Sequence, residues 1–138
     1  MAIFFETIDV KFPDVKRRCT ANWIKSVAVD YSKRVGDITC VFCSDKEILR
    51  INNLYLNHDY YTDIITFDYS EGNYISGDLF ISLDTVKSNS EKFGTDYQEE
   101  LRRVIIHGIL HLCGLKDESP EEKEIMRQKE NEALSLLI

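Results

Sequence analysis

The sequence is poor in glycine and proline, with six glycines and two prolines among 138 residues. Low-complexity and disordered chains are usually rich in such residues and poor in apolar ones, whereas 43% of this sequence is hydrophobic and 30% is charged. The composition therefore excludes a disordered chain and indicates a globular protein. At this length we expect one domain over residues 1–138, with enough chain to bury a substantial core.

Long hydrophobic runs are also missing. The apolar run Ala2 to Phe5 ends at Glu6, which makes it too short for the apolar region of a signal peptide. No other stretch is long enough to span a bilayer. We therefore expect a soluble, cytoplasmic protein that does not contact a membrane, and its four cysteines should be reduced thiols.

A second C-x-x-C pair, which a zinc knuckle of four cysteines requires, does not occur. Cys40 and Cys43 make the one such pair in the sequence, and they fall in a predicted strand. Residues three apart on a strand point to opposite faces of the sheet. We therefore interpret both as core residues rather than metal ligands, and we expect Cys113 to be a packing residue as well.

Basic residues are outnumbered, since 17 lysines and arginines stand against 24 aspartates and glutamates; the formal net charge is −7 and the sequence pI is about 4.9. This excludes a protein that coats nucleic acid through its overall charge. The basic residues nevertheless concentrate in one segment, which contains Lys11, Lys16, Arg17, Arg18, Lys25, Lys33 and Arg34 against Asp14 and Asp30. The simpler interpretation is a solvated helix face, and local binding of an anionic polymer is the alternative.

Periodicity and capping signals predict a mixture of helices and strands. Strands are predicted over residues 2–6, 37–43, 63–69 and 77–82, which are rich in β-branched and aromatic residues. Helices are predicted over residues 13–34 and 44–55, from about 83 to 92, from the cap at Thr95 to Gly114, and from Ser119-Pro120 onward. This order predicts an α+β fold with a small mixed four-stranded sheet packed by several helices.

The stretch HGILHLCGLKD, residues 107–117, contains the strongest functional signal. Residues four apart on a helix lie on one face, so His107 and His111 can reach a single ion. Gly114 is expected to end the helix in a left-handed conformation, after which the returning chain presents Asp117. Two helical histidines and one ligand beyond a turn leave an open coordination position, which is typical of catalytic zinc.

The neighbouring residues of this helix favour a metal over an ordinary buried face. The helix is otherwise very apolar, and burying unpaired imidazoles there would cost roughly 1–3 kcal/mol each. Position 108 is glycine, where helical metalloproteases of the H-E-x-x-H type have their glutamate base. Peptide hydrolysis by that mechanism is therefore disfavoured, and we interpret Gly108 as a point where another backbone or a substrate approaches closely.

Three motifs in order along the chain resemble the YbeY family of rRNA-maturation endoribonucleases. Residues 107–114 match its H-G-x-L-H-L-x-G, residues 77–82 (GDLFIS) match its G-D-I-x-I-S, and residues 51–67 match its L-N-x-x-Y-R-x-x-D-x-P-T-D-V-L-S-F. The resemblance covers about residues 37 to 125. It implies an α+β domain, one bound zinc or other divalent ion, metal-dependent cleavage of single-stranded RNA, maturation of the small-subunit 16S rRNA 3′ end, and ribosome quality control.

The site residues implied by this resemblance are His107, His111 and a third ligand at Asp117. The family pattern is H-x3-H-x5-H, so Asp117 replaces the third histidine, and Glu118 is the fallback ligand. A carboxylate is also a good zinc ligand, although its charge weakens the ion as a Lewis acid. Leu56 stands where the family has arginine. Arg103, one turn before His107, is therefore the candidate catalytic residue for gripping phosphate, with a simple surface pair to Glu99 as the alternative.

The expected reaction is attack on a phosphodiester by a metal-activated water, and attack by the RNA's own 2′-hydroxyl is left open. The expected partners are rRNA and the small ribosomal subunit, and a monomer is expected. Two other functions stay open, a metal-stabilised ribosome-assembly factor without catalysis and a metal hydrolase of another substrate. Further candidates for RNA contact are Tyr60 and Tyr61, whose rings could stack on bases, and Asp63 and Asp78, which begin predicted strands.

Overall fold

The structure, a computed structural model, describes residues 2–56 and 62–137. Nine helices and strands follow one another over these residues: β1 (Ile3–Thr7), α1 (Arg17–Asp30), β2 (Arg34–Cys43), α2 (Asp45–Leu56), β3 (Ile64–Asp68), β4 (Tyr74–Ser82), α3 (Leu83–Phe93), α4 (Tyr97–Leu112) and α5 (Pro120–Ser135). None of the helices formed by these residues has both the length and the apolar character needed to cross a membrane.

The four strands form one mixed sheet in the order β1-β2-β4-β3. β1 pairs with β2 and β2 pairs with β4 in parallel, whereas β3 runs antiparallel to β4, with Ile64 opposite Ile81 and Asp68 opposite Gly77. β1 and β3 are therefore the two edges of the sheet. The predicted fold class, α+β with a small mixed four-stranded sheet packed by helices, is confirmed.

The two faces of the sheet carry two separate hydrophobic clusters. The larger cluster joins Cys40 of β2 and Leu79 of β4 to the buried sides of α1, α4 and α5. The smaller one joins Cys43 and Ile65 to α2. Cys40 and Cys43 thus lie on opposite faces, as their spacing predicts, and burial raises the pKa of each thiol to about 12.

The first helix is shorter than the predicted span of residues 13–34. It begins at Arg17, because Lys16 is extended and acts as the N-cap without a side-chain hydrogen bond. It ends at Asp30, and Ser32 then adopts a left-handed conformation with φ of 59° that turns the chain into β2. The apolar period continues through the predicted span, but the backbone turns at both ends shorten the helix.

The helix that carries the histidines is capped one residue later than predicted. Asp96, not Thr95, is the N-cap of α4, and its carboxylate accepts a hydrogen bond from the backbone N–H of Glu99 at 3.2 Å. The predicted cap of α5 is confirmed as a capping box between Ser119 and Glu122. These caps fix where α4 and α5 begin, and α4 packs against both α5 and the edge strand β3.

Candidate metal centre

The last two turns of α4 hold His107 and His111 side by side. Their ring centroids are 4.6 Å apart with an interplanar angle of 82°. The two Nε2 atoms are 3.0 Å apart. The i,i+4 spacing therefore brings one nitrogen of each ring to the same point in space, as the sequence predicts.

The turn after α4 brings a carboxylate to the same point. Gly114 has φ of +105°, its N–H donates to the carbonyl of His111 at 2.9 Å, and the N–H of Leu115 donates to the carbonyl of Leu110 at 3.0 Å. This is a Schellman ending, which glycine permits at low cost. Beyond it, Oδ2 of Asp117 lies 3.5 Å from Nε2 of His107.

One potential ligand atom from each of His107, His111 and Asp117 lies within 4.8 Å of the other two, and the three residues could together hold a metal ion. Glu118, the fallback ligand, is exposed, and its backbone N–H donates to the Glu122 carboxylate. The geometry therefore brings Asp117 rather than Glu118 to the imidazoles.

The outer nitrogen of each ring faces a hydrogen-bond acceptor. Nδ1 of His107 lies 2.7 Å from Oε2 of Glu130, and Nδ1 of His111 lies 2.9 Å from the carbonyl oxygen of Leu115. A carbonyl and an ionised carboxylate can only accept, so each neutral ring carries its hydrogen on Nδ1. The two Nε2 atoms that face each other then both present lone pairs, an arrangement that a cation between them stabilises.

Two of the separations among these atoms are close to those expected around a tetrahedral ion. Two ligands at about 2.1 Å from a tetrahedral zinc lie about 3.4 Å from each other. The observed separations are 3.0 Å between the Nε2 atoms and 3.5 Å from His107 Nε2 to Asp117 Oδ2. Two imidazole nitrogens and one carboxylate oxygen are also a donor set that zinc accepts.

Glu130 of α5 joins the two helices behind the histidines. It is buried, with 6% of its surface exposed, and its second oxygen accepts a hydrogen bond from Nη1 of Arg103 at 2.9 Å. Nη2 of Arg103 donates to Oδ1 of Asn131 at 2.8 Å. The guanidinium therefore holds the carboxylate that in turn orients the His107 ring.

This arrangement bears on the two interpretations of Arg103. Its partners are Glu130 and Asn131, not the predicted alternative Glu99, because the guanidinium reaches across to α5 instead of back along α4. Arg103 is also not among the residues that line the cleft beside the histidines. Its proposed contact with phosphate stays a prediction.

Burial and charge shift the pKa values of this network in opposite directions. Burial favours the neutral form of Glu130, yet hydrogen bonds from His107 and Arg103 outweigh it and lower the pKa of that carboxyl. Burial also opposes the charge on His107, but the Glu130 carboxylate raises the pKa of His107 above its usual value. The pKa of His111 is lowered by burial and by its neighbour His107.

The histidines open onto a cleft of about 490 Å³ between α4 and the edge strand β3. Asp63, Thr66 and Asp68 line it opposite His107, His111 and Asp117. Burial raises the pKa of Asp63, and the nearby positive charge of His107 opposes that rise. Asp78, the other predicted strand carboxylate, lies in β4 opposite Phe67 and is not one of the residues that line the cleft.

Gly108 lies against side chains of the sheet. The expectation that another backbone or a substrate approaches this position is therefore wrong. A Cβ atom at this position would lie 2.7 Å from Cδ1 of Ile64 and 3.0 Å from Cδ1 of Leu79. These are side chains of β3 and β4, so the glycine lets α4 sit close to the β3 edge. That close packing places His107 and His111 beside the cleft.

Glu130 is the residue of this network that the sequence interpretation missed. A signal for it exists, because Glu130 lies at helical spacing between Met126 and Ala133, the other buried residues of α5. A glutamate within a buried helix stripe is rare unless it is paired. The candidates Tyr60 and Tyr61 lie outside the residues that the structure describes.

Comparisons with known proteins agree with the motifs and with the fold. A family profile described as Endoribonuclease YbeY matches residues 5–137. A protein named Endoribonuclease YbeY from Bacteroides fragilis is 62% identical over 136 residues, covering 99% of this chain and 98% of its own. A Porphyromonas gingivalis protein of the same name is 52% identical over 135 residues, covering 98% and 89%.

A solved structure from Thermotoga maritima, determined in solution, has a similar fold. It superimposes with a TM-score of 0.68, covers 99% of this chain and 89% of its own, and is 21% identical in sequence. At that identity the likeness supports the α+β fold alone.

Proposed function

The chain belongs to the YbeY family of endoribonucleases, and on this premise we propose that it is a metal-dependent endoribonuclease that cleaves single-stranded RNA. Its substrate in this proposal is ribosomal RNA, with maturation of the small-subunit 16S rRNA 3′ end as the reaction and ribosome quality control as a second role. The protein acts as one domain over residues 1–138, as a monomer, in the cytoplasm, in contact with the small ribosomal subunit.

The observation that carries this proposal is the convergence of three ligand atoms at the wall of an open cleft. Nε2 of His107 and Nε2 of His111 face each other at 3.0 Å, while both Nδ1 atoms are engaged elsewhere. Asp117 supplies the third atom. Three protein ligands leave a fourth position for water or substrate, as in catalytic rather than structural zinc sites.

The proposed ion is zinc, held by His107, His111 and Asp117. When bound, a divalent ion there lowers the pKa of a water molecule and polarises a phosphoryl oxygen. Glu130 keeps the His107 ring in the tautomer that leaves Nε2 free for coordination. Asp63 faces the same cleft with a raised pKa, which suits a group that accepts and returns a proton during phosphodiester cleavage.

Two roles for Arg103 can be separated by one experiment. If Arg103 grips phosphate, Arg103→Lys lowers kcat/KM for RNA at unchanged metal affinity. If Arg103 acts through Glu130, the same variant weakens metal binding. A lysine ammonium cannot reproduce the planar guanidinium, whose two terminal nitrogens donate to Glu130 and Asn131. The geometry supports the second outcome, because both terminal nitrogens of the guanidinium are engaged on α5.

The test of the proposed function is cleavage of an rRNA precursor that contains the 3′ end of the small-subunit rRNA. We expect about one divalent ion per chain, cleavage that a chelator abolishes, and no cleavage by His111→Ala. A protein that binds the ion and loses stability with chelator, yet leaves the RNA intact, would instead be a metal-stabilised assembly factor. Cyclic phosphate at the product ends would assign the attack to the 2′-hydroxyl.

A further inference from the structure

The proposed active cleft attracts RNA poorly by charge alone. Asp63, Asp68 and Asp117 line it, and no lysine or arginine of the described residues does so. Three carboxylates exceed the charge of one divalent ion, and the whole chain carries −7. An RNA substrate, which carries one negative charge per phosphate, therefore needs a cationic contact outside this cleft.

A cationic groove lies at the opposite edge of the sheet. It has a volume of about 760 Å³ and runs between β1 and the first half of α1. Three cations, Arg17, Arg18 and Lys25, line it against one acid, Glu6. We call this surface, defined by these four residues and Phe4, the β1–α1 groove.

The cations of the groove are not neutralised within the described part of the chain. Arg17, Arg18 and Lys25 are all exposed, and none of them forms a salt bridge with a described residue. The guanidinium of Arg17 lies 4.2 Å from the ring centre of Phe12, a contact that restrains its position without cancelling its charge. Their charge is therefore available to a partner.

An exposed aromatic ring lies among these charges. Phe4, on the edge strand β1, is 51% exposed and lines the same groove. Surfaces that bind single-stranded nucleic acid combine a positively charged groove with an aromatic ring on which a base stacks. The β1–α1 groove has both features, which an acidic peptide partner would not require.

The first turn of α1 also departs from what helix stability favours. The other four helices of the described residues have acidic residues in their first turns, whereas α1 has none there and begins with Arg17 and Arg18 after Lys16. Cations at the positive end of a helix dipole are unfavourable. A bound phosphate backbone relieves that repulsion.

We propose that the β1–α1 groove is a second RNA-binding site that holds a single-stranded segment of the substrate away from the cleft. This rests on the proposed function, since it takes RNA as the substrate. The two edges of the sheet are separated by three strand spacings, or about 14 Å. A short oligonucleotide that fills only the cleft does not reach the groove, whereas a long strand contacts both.

The decisive variant removes the three cations together, as Arg17→Gln, Arg18→Gln and Lys25→Gln in the full metal-loaded chain. Its matched control is Lys46→Gln, Lys87→Gln and Lys92→Gln, three exposed lysines of α2 and α3 whose loss changes the net charge equally. The probe is a labelled strand of single-stranded polythymidine DNA, which offers the same phosphates and base faces. Binding is followed by fluorescence anisotropy against salt concentration.

We expect the groove variant to bind the probe roughly tenfold more weakly. Its slope of log K against log salt should shrink by about 2, because each phosphate that the protein no longer neutralises reduces the slope by about 0.7. The control variant should change that slope little. Equal slopes of log K against log salt in the two variants would overturn the proposal. Tighter binding of polyglutamate than of the DNA strand to the wild-type protein would also overturn it, because it would indicate an acidic peptide as the partner.

Two further measurements do not depend on the triple variant folding. Phe4→Ala should weaken binding about tenfold, while Phe93→Ala, at a ring that is 63% exposed on α3, should not. Hydrogen exchange on the wild type should show protection of β1 and the first half of α1 when the strand binds. Protection confined to the cleft would contradict the proposal. The DNA probe reports binding alone, because it is not a substrate for cleavage. A failure of this proposal is therefore distinguished from a failure of the proposed ribonuclease activity, which is tested by cleavage of the rRNA precursor.

Discussion

The two edges of the sheet carry their charged groups in different states. At the β3 edge, His107, Glu130 and Arg103 are largely buried, and each has a hydrogen-bond partner within 3 Å. At the β1 edge, Arg17, Arg18 and Lys25 are exposed and have no ion-pair partner among the described residues. The charged side chains are thus held by hydrogen bonds at the β3 edge and exposed to solvent at the β1 edge.

This difference suits two kinds of binding. A metal ion needs ligands held within a fraction of an ångström, which buried and hydrogen-bonded side chains provide. A flexible polyanion needs accessible charge rather than fixed geometry. Substitutions at the β3 edge should therefore change metal affinity and stability strongly, while those at the β1 edge should leave both nearly unchanged and act on RNA binding.

The largest effect is expected from removing a proposed ligand. Asp117→Ala and His111→Ala should each lower zinc affinity by more than about 100-fold, because loss of an outer partner alone costs about 10–100-fold. Glu118→Ala is the matched control, since it removes the adjacent, exposed carboxylate. Competition with a chromophoric chelator measures all three affinities. A loss at Glu118 equal to that at Asp117 would contradict the assigned ligand set.

The next effect is expected at Glu130. Glu130→Gln should weaken zinc binding by about 10–100-fold, since it no longer fixes the His107 tautomer. It should also lower the free energy of unfolding of the metal-free protein by about 2–4 kcal/mol, because Arg103 loses its buried counter-charge.

The control for this substitution is Glu132→Gln, on the same helix, whose carboxylate is largely exposed. Urea unfolding in chelator and zinc competition give the two quantities separately. Equal changes in zinc affinity and in the free energy of unfolding for Glu130→Gln and Glu132→Gln would show that the Glu130 network does not stabilise the β3 edge. The proposed difference between the two edges would then be wrong.

A smaller effect is expected from Gly108→Ala, which tests how tightly α4 packs on β3. The new methyl would lie 2.7 Å from Cδ1 of Ile64, and such overpacking costs about 1–3 kcal/mol. Alanine gains up to about 1 kcal/mol in helix propensity, so we expect a net loss of about 1 kcal/mol in stability.

Ile64→Val removes the crowded Cδ1 atom and should relieve the Gly108→Ala variant in a double-mutant cycle. Ala21→Leu, in the open β1–α1 groove, serves as the comparison at the other edge and should change stability by less than about 0.5 kcal/mol. Additive effects of the substitutions at positions 64 and 108 would show that the two side chains do not meet.

The carboxylate of Asp63, which is half-buried at the wall of the cleft, predicts that stability depends on pH. Its pKa is raised in the folded protein, mainly by burial. Its contribution to stability is therefore complete below the ordinary aspartate pKa of about 3.9 and is lost as the pH rises through the folded value. In chelator, Asp63→Asn should be more stable than the wild type at neutral pH, by on the order of 1 kcal/mol.

This advantage of Asp63→Asn should disappear as the pH falls below about 4. Unfolding midpoints in urea across that range measure it, with exposed Asp14→Asn as a control for the loss of one negative charge. A stabilisation that is constant with pH, or one that grows on acidification, would show that burial of the carboxylate is not its cause.

The smallest effect is expected at the start of α1. Lys16 is its N-cap and makes no side-chain capping bond, so Lys16→Ser should stabilise the protein by about 0.5–1 kcal/mol. Thermal unfolding measures this gain. The control is Lys46→Ser, at an exposed position inside α2, which should not raise the stability of the protein. A loss of stability in Lys16→Ser would mean that the basic first turn serves the fold rather than a ligand.

Much of the β3 edge could be predicted because its signals are local in sequence. The spacing of His107 and His111 predicts their shared face, and Gly114 predicts the turn that returns Asp117 to them. Alternation along the strands places Cys40 and Cys43 in different clusters. Each of these inferences needs only a helix period, a strand period or a glycine in the left-handed region.

The remaining features depend on how distant segments pack, and local patterns do not contain that information. Glu130 lies 23 residues from His107 along the chain, and their contact exists because α5 folds back along α4. The partners of Arg103 and the neighbours of Gly108 follow from the same packing. The order β1-β2-β4-β3, which separates the cleft from the cationic groove, is likewise a tertiary property.

The central claim is that His107, His111 and Asp117 bind one divalent ion with a position left open. X-ray absorption at the zinc edge of the zinc-loaded protein tests it most directly. We predict one ion per chain with two imidazole nitrogens and additional oxygen donors in its shell. Sulfur in that shell, a single imidazole, or no zinc retained after dialysis would contradict it.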